Sequence, residues 1–129
     1  MRFRASANMT APVVKAMIDS VPGHYKCAIY SDARGMADRL LMSTQEKSNP
    51  AAAWNEFPLQ TPLPLKAGSY YWLAIWSDDQ NARVYYTSQS GGTLKWAPYA
   101  YGDWPDPIIL EVNGSTYLYC IYAEGTFEE

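Results

Sequence analysis

The sequence predicts an all-β fold: an antiparallel, jelly-roll-like β-sandwich of about nine short strands. Three observations carry this expectation. Short alternating or solidly apolar runs recur at spacings of about 8–15 residues. Turn residues separate them. No helical crossover of the kind that joins parallel strands lies between them.

In chain order, RFRASA (2–7) and VVKAMIDS (13–20) come first, ended by Pro22-Gly23. YKCAIYS (25–31) follows, closed by the turn residues Asp32 to Gly35. RLLMST (39–44) reads as a strand, although ADRLLMSTQEK (37–47) also suits one or two helical turns. After Asn49-Pro50 comes WNEFPL (54–59), and after Ala67-Gly68 comes SYYWLAIWS (69–77). There, period-two alternation puts Tyr70, Trp72, Ala74 and Trp76 on one face and Tyr71, Leu73 and Ile75 on the other. The second set reads as core, leaving the Tyr70, Trp72 and Trp76 face exposed or lining a groove. RVYYTS (83–88), LKWAPYAY (94–101) and STYLYCIYAEG (115–125) complete the set, punctuated by Gly91-Gly92, Gly102 to Pro107 and Asn113-Gly114. Asn-Gly suits a tight hairpin because both central positions need positive φ.

A chain of 129 residues reads as one domain, residues 1–129, cut from a longer protein. Net charge is −3, and no two Lys or Arg are adjacent, so nucleic acid is not an expected partner. No apolar run approaches the length of a membrane span, and MRFRASANMT has no apolar segment of the signal-peptide kind. Eleven Tyr and five Trp outnumber three Phe, a bias towards rings with a polar tip that suit half-wet surfaces. Cys27 and Cys120 lie in strand-like runs; they read either as a bridge between an early and a late strand or as two buried thiols. An internal echo joins CAIYSDARG (27–35), LAIWSDDQN (73–81) and CIYAEG (120–125). In the first two, Asp32 and Asp78 read as Asx-type turn residues bonding the amides that follow.

Several segments resemble a class of β-sandwich accessory modules of secreted, cell-surface and phage-borne proteins, carbohydrate-binding-module-like. They are AIYSD (28–32), Gly35, Leu40-Leu41, WNEFPL (54–59) and LKAGSYYWLA (65–74). The resemblance spans roughly residues 12–125 and rests on strand cores and turns. ARGMADR stands where such modules usually carry a Gly-x-Pro-Gly turn. The resemblance implies a sandwich fold, a non-catalytic binding role and an extracellular, virion or cell-surface setting; it carries no ligand residue over.

Catalytic constellations are thin. His24 is the only histidine, which leaves a hydrolytic triad or a two-histidine metal site without a partner. No G-x-S-x-G elbow or phosphate-cradling glycine loop is present. Asp78-Asp79, Asp103 with Asp106, Glu111 and Glu124 are the carboxylates from which a glycosidase pair would come, but they read as solvated turn or outward strand residues. The expectation is no enzyme and no cofactor, with a structural calcium on SDDQN or GDWPDP as the alternative to plain turn acids.

The candidate site is RVYYTSQSGGTLKWAPYAYGDWPDP (83–107), where large rings sit among turn residues. Sugars offer apolar C–H faces and hydroxyl edges, so flat rings plus short polar groups would bind them. Trp96, Tyr99, Tyr101, Trp104, Trp76 and Tyr85 supply rings; Asp103 and Arg83 supply polar contacts, with Asp106, Asn81 and Gln89 nearby. The expected function is a non-catalytic carbohydrate-binding module stacking polysaccharide on exposed Trp and Tyr. The alternative is a structural or adhesion domain of a virion or surface protein, acting through protein contacts or self-association.

Overall fold

The structure, a computed structural model, describes residues 1–79, 82–90, 95–96, 99–109, 112–113, 117–119 and 121–127. For 86–90, 95–96, 112–113, 117–119 and 126–127 the description is of the backbone. No helix occurs among these residues, and two antiparallel sheets pack face to face as a β-sandwich.

The first sheet runs β1 (Arg2–Arg4), β7 (Tyr70–Ser77), β3 (His24–Ala33), β4 (Met36–Ser43), with β5 (Lys47–Ser48) also on β3. The second runs β12 (Ile121–Phe127), β2 (Met9–Ile18), β6 (Ala53–Leu65). Two small ladders pair β9 (Lys95–Trp96) with β10 (Val112–Asn113), and β8 (Tyr86–Ser90) with β11 (Tyr117–Tyr119). ADRLLM is therefore strand and not helix. Ala37 and Leu40 pack on one face of β4 and Met42 on the other, and Tyr30 pairs with Leu40 to hold the segment in the ladder. Around Asn113-Gly114, the flanking strands pair with β9 and β8; Gly114 itself lies outside the described residues.

Between the sheets, alternate residues meet: Val14, Ala16 and Ile18 of β2, Phe57 and Leu59 of β6, Ile121 of β12, against Tyr25, Cys27 and Ile29 of β3 and Leu73 of β7. Cys27 is a fully buried free thiol, and burial raises its pKa; Cys120 lies outside the described residues. Thr44 marks the crossing from one sheet to the other. Buried, it accepts the Cys27 N–H on Oγ1 at 2.9 Å and donates its own N–H to the Cys27 carbonyl at 2.9 Å, while Gln45 N–H reaches Pro58 O at 3.0 Å. Asn55, also buried, donates twice from Nδ2, to Ala51 O and Ala53 O, both at 2.9 Å, so its polar group costs little.

A second, smaller core lies on the outer face of the first sheet. Ala28, Tyr30, Ala37 and Trp72 are buried there beneath Ile108, with Leu40, Ala74 and Trp104 at its margin. The cover is the segment 99–109, which runs across the sheet as a strap. It is tied down by Tyr30 Oη to Pro105 O (2.6 Å), Leu40 N–H to Asp106 Oδ1 (3.1 Å), Arg39 Nε to Asp106 Oδ1 (3.0 Å) and Ile108 N–H to Asp38 O (2.9 Å).

Candidate functional site

The strap decides the fate of the aromatic strip. β3 and β7 pair Lys26 with Trp76, Ala28 with Ala74 and Tyr30 with Trp72, all on the outer face. The small Ala28–Ala74 row leaves a trough between two aromatic rows, and Trp104 from the strap enters it. Its ring centroid lies 6.1 Å from that of Tyr30 and 5.2 Å from that of Trp76, and Tyr101 packs on Trp76 at 5.4 Å. These separations are those of favourable tilted aromatic pairs.

Beside this cluster a cavity of about 350 Å3 follows the C-terminal half of β7. Trp76, Tyr99 and Trp104 contribute ring walls, and Ala82, Val84 and Ile121 close the side nearer the second sheet. The cavity exists because β1 stops short. Met1 and Leu73 exchange their N–H and C=O groups, and among the described residues no strand continues along Ala74–Ser77. Antiparallel alternation then aims the N–H and C=O of Ile75 and Ser77 at the cavity, since Trp76 spends its own on Lys26. The indole N–H of Trp104 is buried and unpartnered among the described residues. The result is apolar ring faces beside backbone donors and acceptors that no strand among the described residues pairs.

Of the eight residues proposed from sequence, Trp76, Tyr99, Tyr101 and Trp104 come together. Tyr99 is the most open, 39% exposed, its hydroxyl bonded to the Ile109 backbone. Trp104 and Trp76 are half-buried, so the picture of a fully displayed platform is corrected: the strap's own packing takes part of each ring. Arg83 and Tyr85 alternate with Ala82 and Val84, which line the cavity from the segment leading into β8; Tyr85 is exposed, and its N–H bonds Met17 O on β2. Asp103 is exposed without a hydrogen bond or ion pair among the described residues. Asp106 holds the strap. Asn81 and the side chains of Trp96 and Gln89 lie outside the description.

The Tyr70, Trp72 and Trp76 face splits three ways. Trp72 is 2% exposed beneath the strap, Trp76 is half-buried and lines the cavity, and Tyr70 is exposed with the Arg2 guanidinium 3.8 Å over its ring. Period-two reading was right about the faces, Tyr71, Leu73 and Ile75 pointing inward, but nothing local announces that a distant segment covers one of them.

Sequence reading also missed Lys26. It stands on the outer face of β3 with Nζ 4.6 Å from the Tyr101 ring centroid, 4.8 Å from Trp76 and 5.4 Å from Trp104, and it donates to Gly102 O. The available signal was alternation: His24, Lys26 and Ala28 share a face opposite Tyr25, Cys27 and Ile29. Next to the Lys26 ring cluster, Tyr101 Oη donates to Glu46 at 2.6 Å, and His24 Nδ1 lies 2.7 Å from Asp78 with Nε2 4.0 Å from Glu46. Burial, with the Glu46 carboxylate, raises the Tyr101 pKa, and Asp78 raises that of His24. Asp78 thus departs from the Asx-turn expectation: it accepts the His24 N–H at 2.8 Å across the sheet, whereas Asp32 does bond the following Gly35 N–H, at 3.2 Å.

Among the described residues no three His, Cys, Asp or Glu side chains gather to hold a metal ion. A different exposed aromatic pair lies on the outer face of the second sheet. Trp54 and Tyr122, 45% and 40% exposed, meet at 5.2 Å edge to face, next to Lys15, which bridges Glu56 (3.3 Å) and Glu124 (2.5 Å). The chain matches no protein-family model, no curated protein and no solved structure.

Proposed function

We propose that this domain is a non-catalytic carbohydrate-binding module whose ligand enters the cavity beside β7. The observation that carries the reading is the mixture on its walls: the rings of Trp76, Tyr99 and Trp104 stand next to backbone groups of β7 that no strand among the described residues pairs. A saccharide has matching chemistry, with C–H faces for the rings and hydroxyls that both donate and accept. A purely apolar ligand would leave those polar groups unsatisfied. The cavity holds a unit of one or two sugar rings, at the lower end of the size of small-ligand sites.

Titrating intrinsic tryptophan fluorescence against a panel of soluble polysaccharides tests this. A glycan that shifts or quenches emission in the native protein should bind about 1–3 kcal/mol more weakly to Tyr99→Ala, an exposed position whose loss leaves the melting temperature nearly unchanged. A panel without any response would end the proposal. Trp104→Ala is the poorer probe, since that ring also fills the trough under the strap and its removal will lower stability as well.

The exposed Trp54 and Tyr122 pair favours a second reading, a structural or adhesion domain of a virion or surface protein that associates through the second sheet. Light scattering on the native chain and on Trp54→Ser with Tyr122→Ser checks it: that reading requires an oligomer which the double variant dissolves.

A further inference from the structure

We propose that Trp76, Tyr101 and Trp104 form an ammonium site that Lys26 fills in the free protein, so that the saccharide taken by this domain carries free amino groups and displaces Lys26 from the rings. This rests on the carbohydrate reading above and names the ligand class. Trp76 and Trp104 are shared with the cavity, while Tyr101 and Lys26 lie outside its lining, so the ligand's amino group would reach past the cavity to these rings. Three ring centroids lie within 5.4 Å of one Nζ, inside the roughly 6 Å over which a cation is drawn to an aromatic face. The arrangement is therefore built around a positive charge. Among the described residues no carboxylate lies within ion-pair distance of Lys26. Among the described residues, the three rings and the Gly102 carbonyl are what hold it.

The alternatives fare worse on charge. A neutral sugar laid on these rings would either bury the lysine ammonium without a counter-charge or push it out with nothing to replace it. An acidic sugar would gain Lys26 but would face Glu46 on the Tyr101 hydroxyl, Asp78 beside His24, and exposed Asp103 on the strap, in a chain of net charge −3. An ammonium takes over the same three ring faces, and those carboxylates favour it. Lys26, partly exposed on the sheet face, then extends its long stem to water, as lysines at apolar borders do.

The test uses the whole chain and three probes: chitosan oligosaccharide, its fully N-acetylated counterpart, and tetramethylammonium, each followed by tryptophan fluorescence and calorimetry. The native protein should bind the free-amine oligosaccharide about tenfold more tightly than the acetylated one. Lys26→Ala should strengthen tetramethylammonium binding several-fold, because the internal competitor is gone. Lys26→Met keeps a long apolar stem without the charge and should act in the same direction, which guards against a fold defect in the alanine variant. Equal binding of both oligosaccharides, unaltered by either substitution, overturns the ammonium site and leaves the carbohydrate reading standing. Tetramethylammonium binding that strengthens on loss of Lys26, with neither oligosaccharide nor any panel glycan bound, keeps the cage and removes the saccharide.

Discussion

Asp32 shows how much one side chain can organise. Its carboxylate, one-tenth exposed, accepts from Arg2 Nε at 2.9 Å, Trp72 Nε1 at 2.9 Å and Gly35 N–H at 3.2 Å. Burial alone would raise its pKa, but these donors outweigh burial and hold it below the usual carboxylate value. Asp32→Ala leaves the buried Trp72 indole N–H without a partner and should cost about 2–3 kcal/mol in denaturant unfolding. His24 works with the opposite sign. Bonded to Asp78 and near Glu46, its folded pKa lies above the unfolded value of about 6.5. Its contribution is complete below that pH and fades as pH rises through the raised folded value. Thermal melts across this range should show the loss in the native chain and its absence in His24→Gln. Sequence reading does not join His24 to Asp78, because the two are distant along the chain and adjacent only once β3 and β7 pair.

Among the elements, β12 and the strap show what strands and loops demand of single positions. β12 slips register between Glu124 and Thr126 against β2, and Gly125 sits at the slip. A Cβ there would lie 2.0 Å from Thr10 O and 2.8 Å from Ala11 Cα, both backbone atoms that cannot move aside without breaking the ladder. Gly125→Ala should therefore cost about 3 kcal/mol or more, read from the urea midpoint, or abolish folding. On the other edge of that sheet, β6 carries Pro58, Pro62 and Pro64, residues that spoil an edge for pairing with a further strand. The strap was legible only in its punctuation. Pro105 and Pro107 mark 99–109 as irregular chain, but that its rings turn back onto β3 and β7 depends on the trough left by Ala28 and Ala74.

The molecule as a whole is a sandwich with one core between its sheets and a second beneath the strap. Cys27 reports on the first. Its thiol is fully buried with a raised pKa, so a thiol reagent should leave Cys27 untouched in the native protein and modify it once the fold is opened. A prompt reaction of Cys27 under native conditions, located by peptide mapping, would contradict this packing. What the amino-acid order determined by itself was the class of fold and the two faces of its strands: alternation is a local property, set by a backbone that turns successive side chains to opposite sides. Tyr71, Leu73 and Ile75 could be assigned inward on that ground alone. Which outward face stays open was decided by tertiary structure. Trp72 and Tyr70 share a face and a residue type's worth of polarity, yet one is buried under Ile108 and the other meets solvent, because burial depends on the path of a segment some thirty residues downstream. The meeting of Lys26 with three rings from β7 and the strap belongs to the same category, since cation and cage lie far apart in sequence and share no periodicity that could announce them.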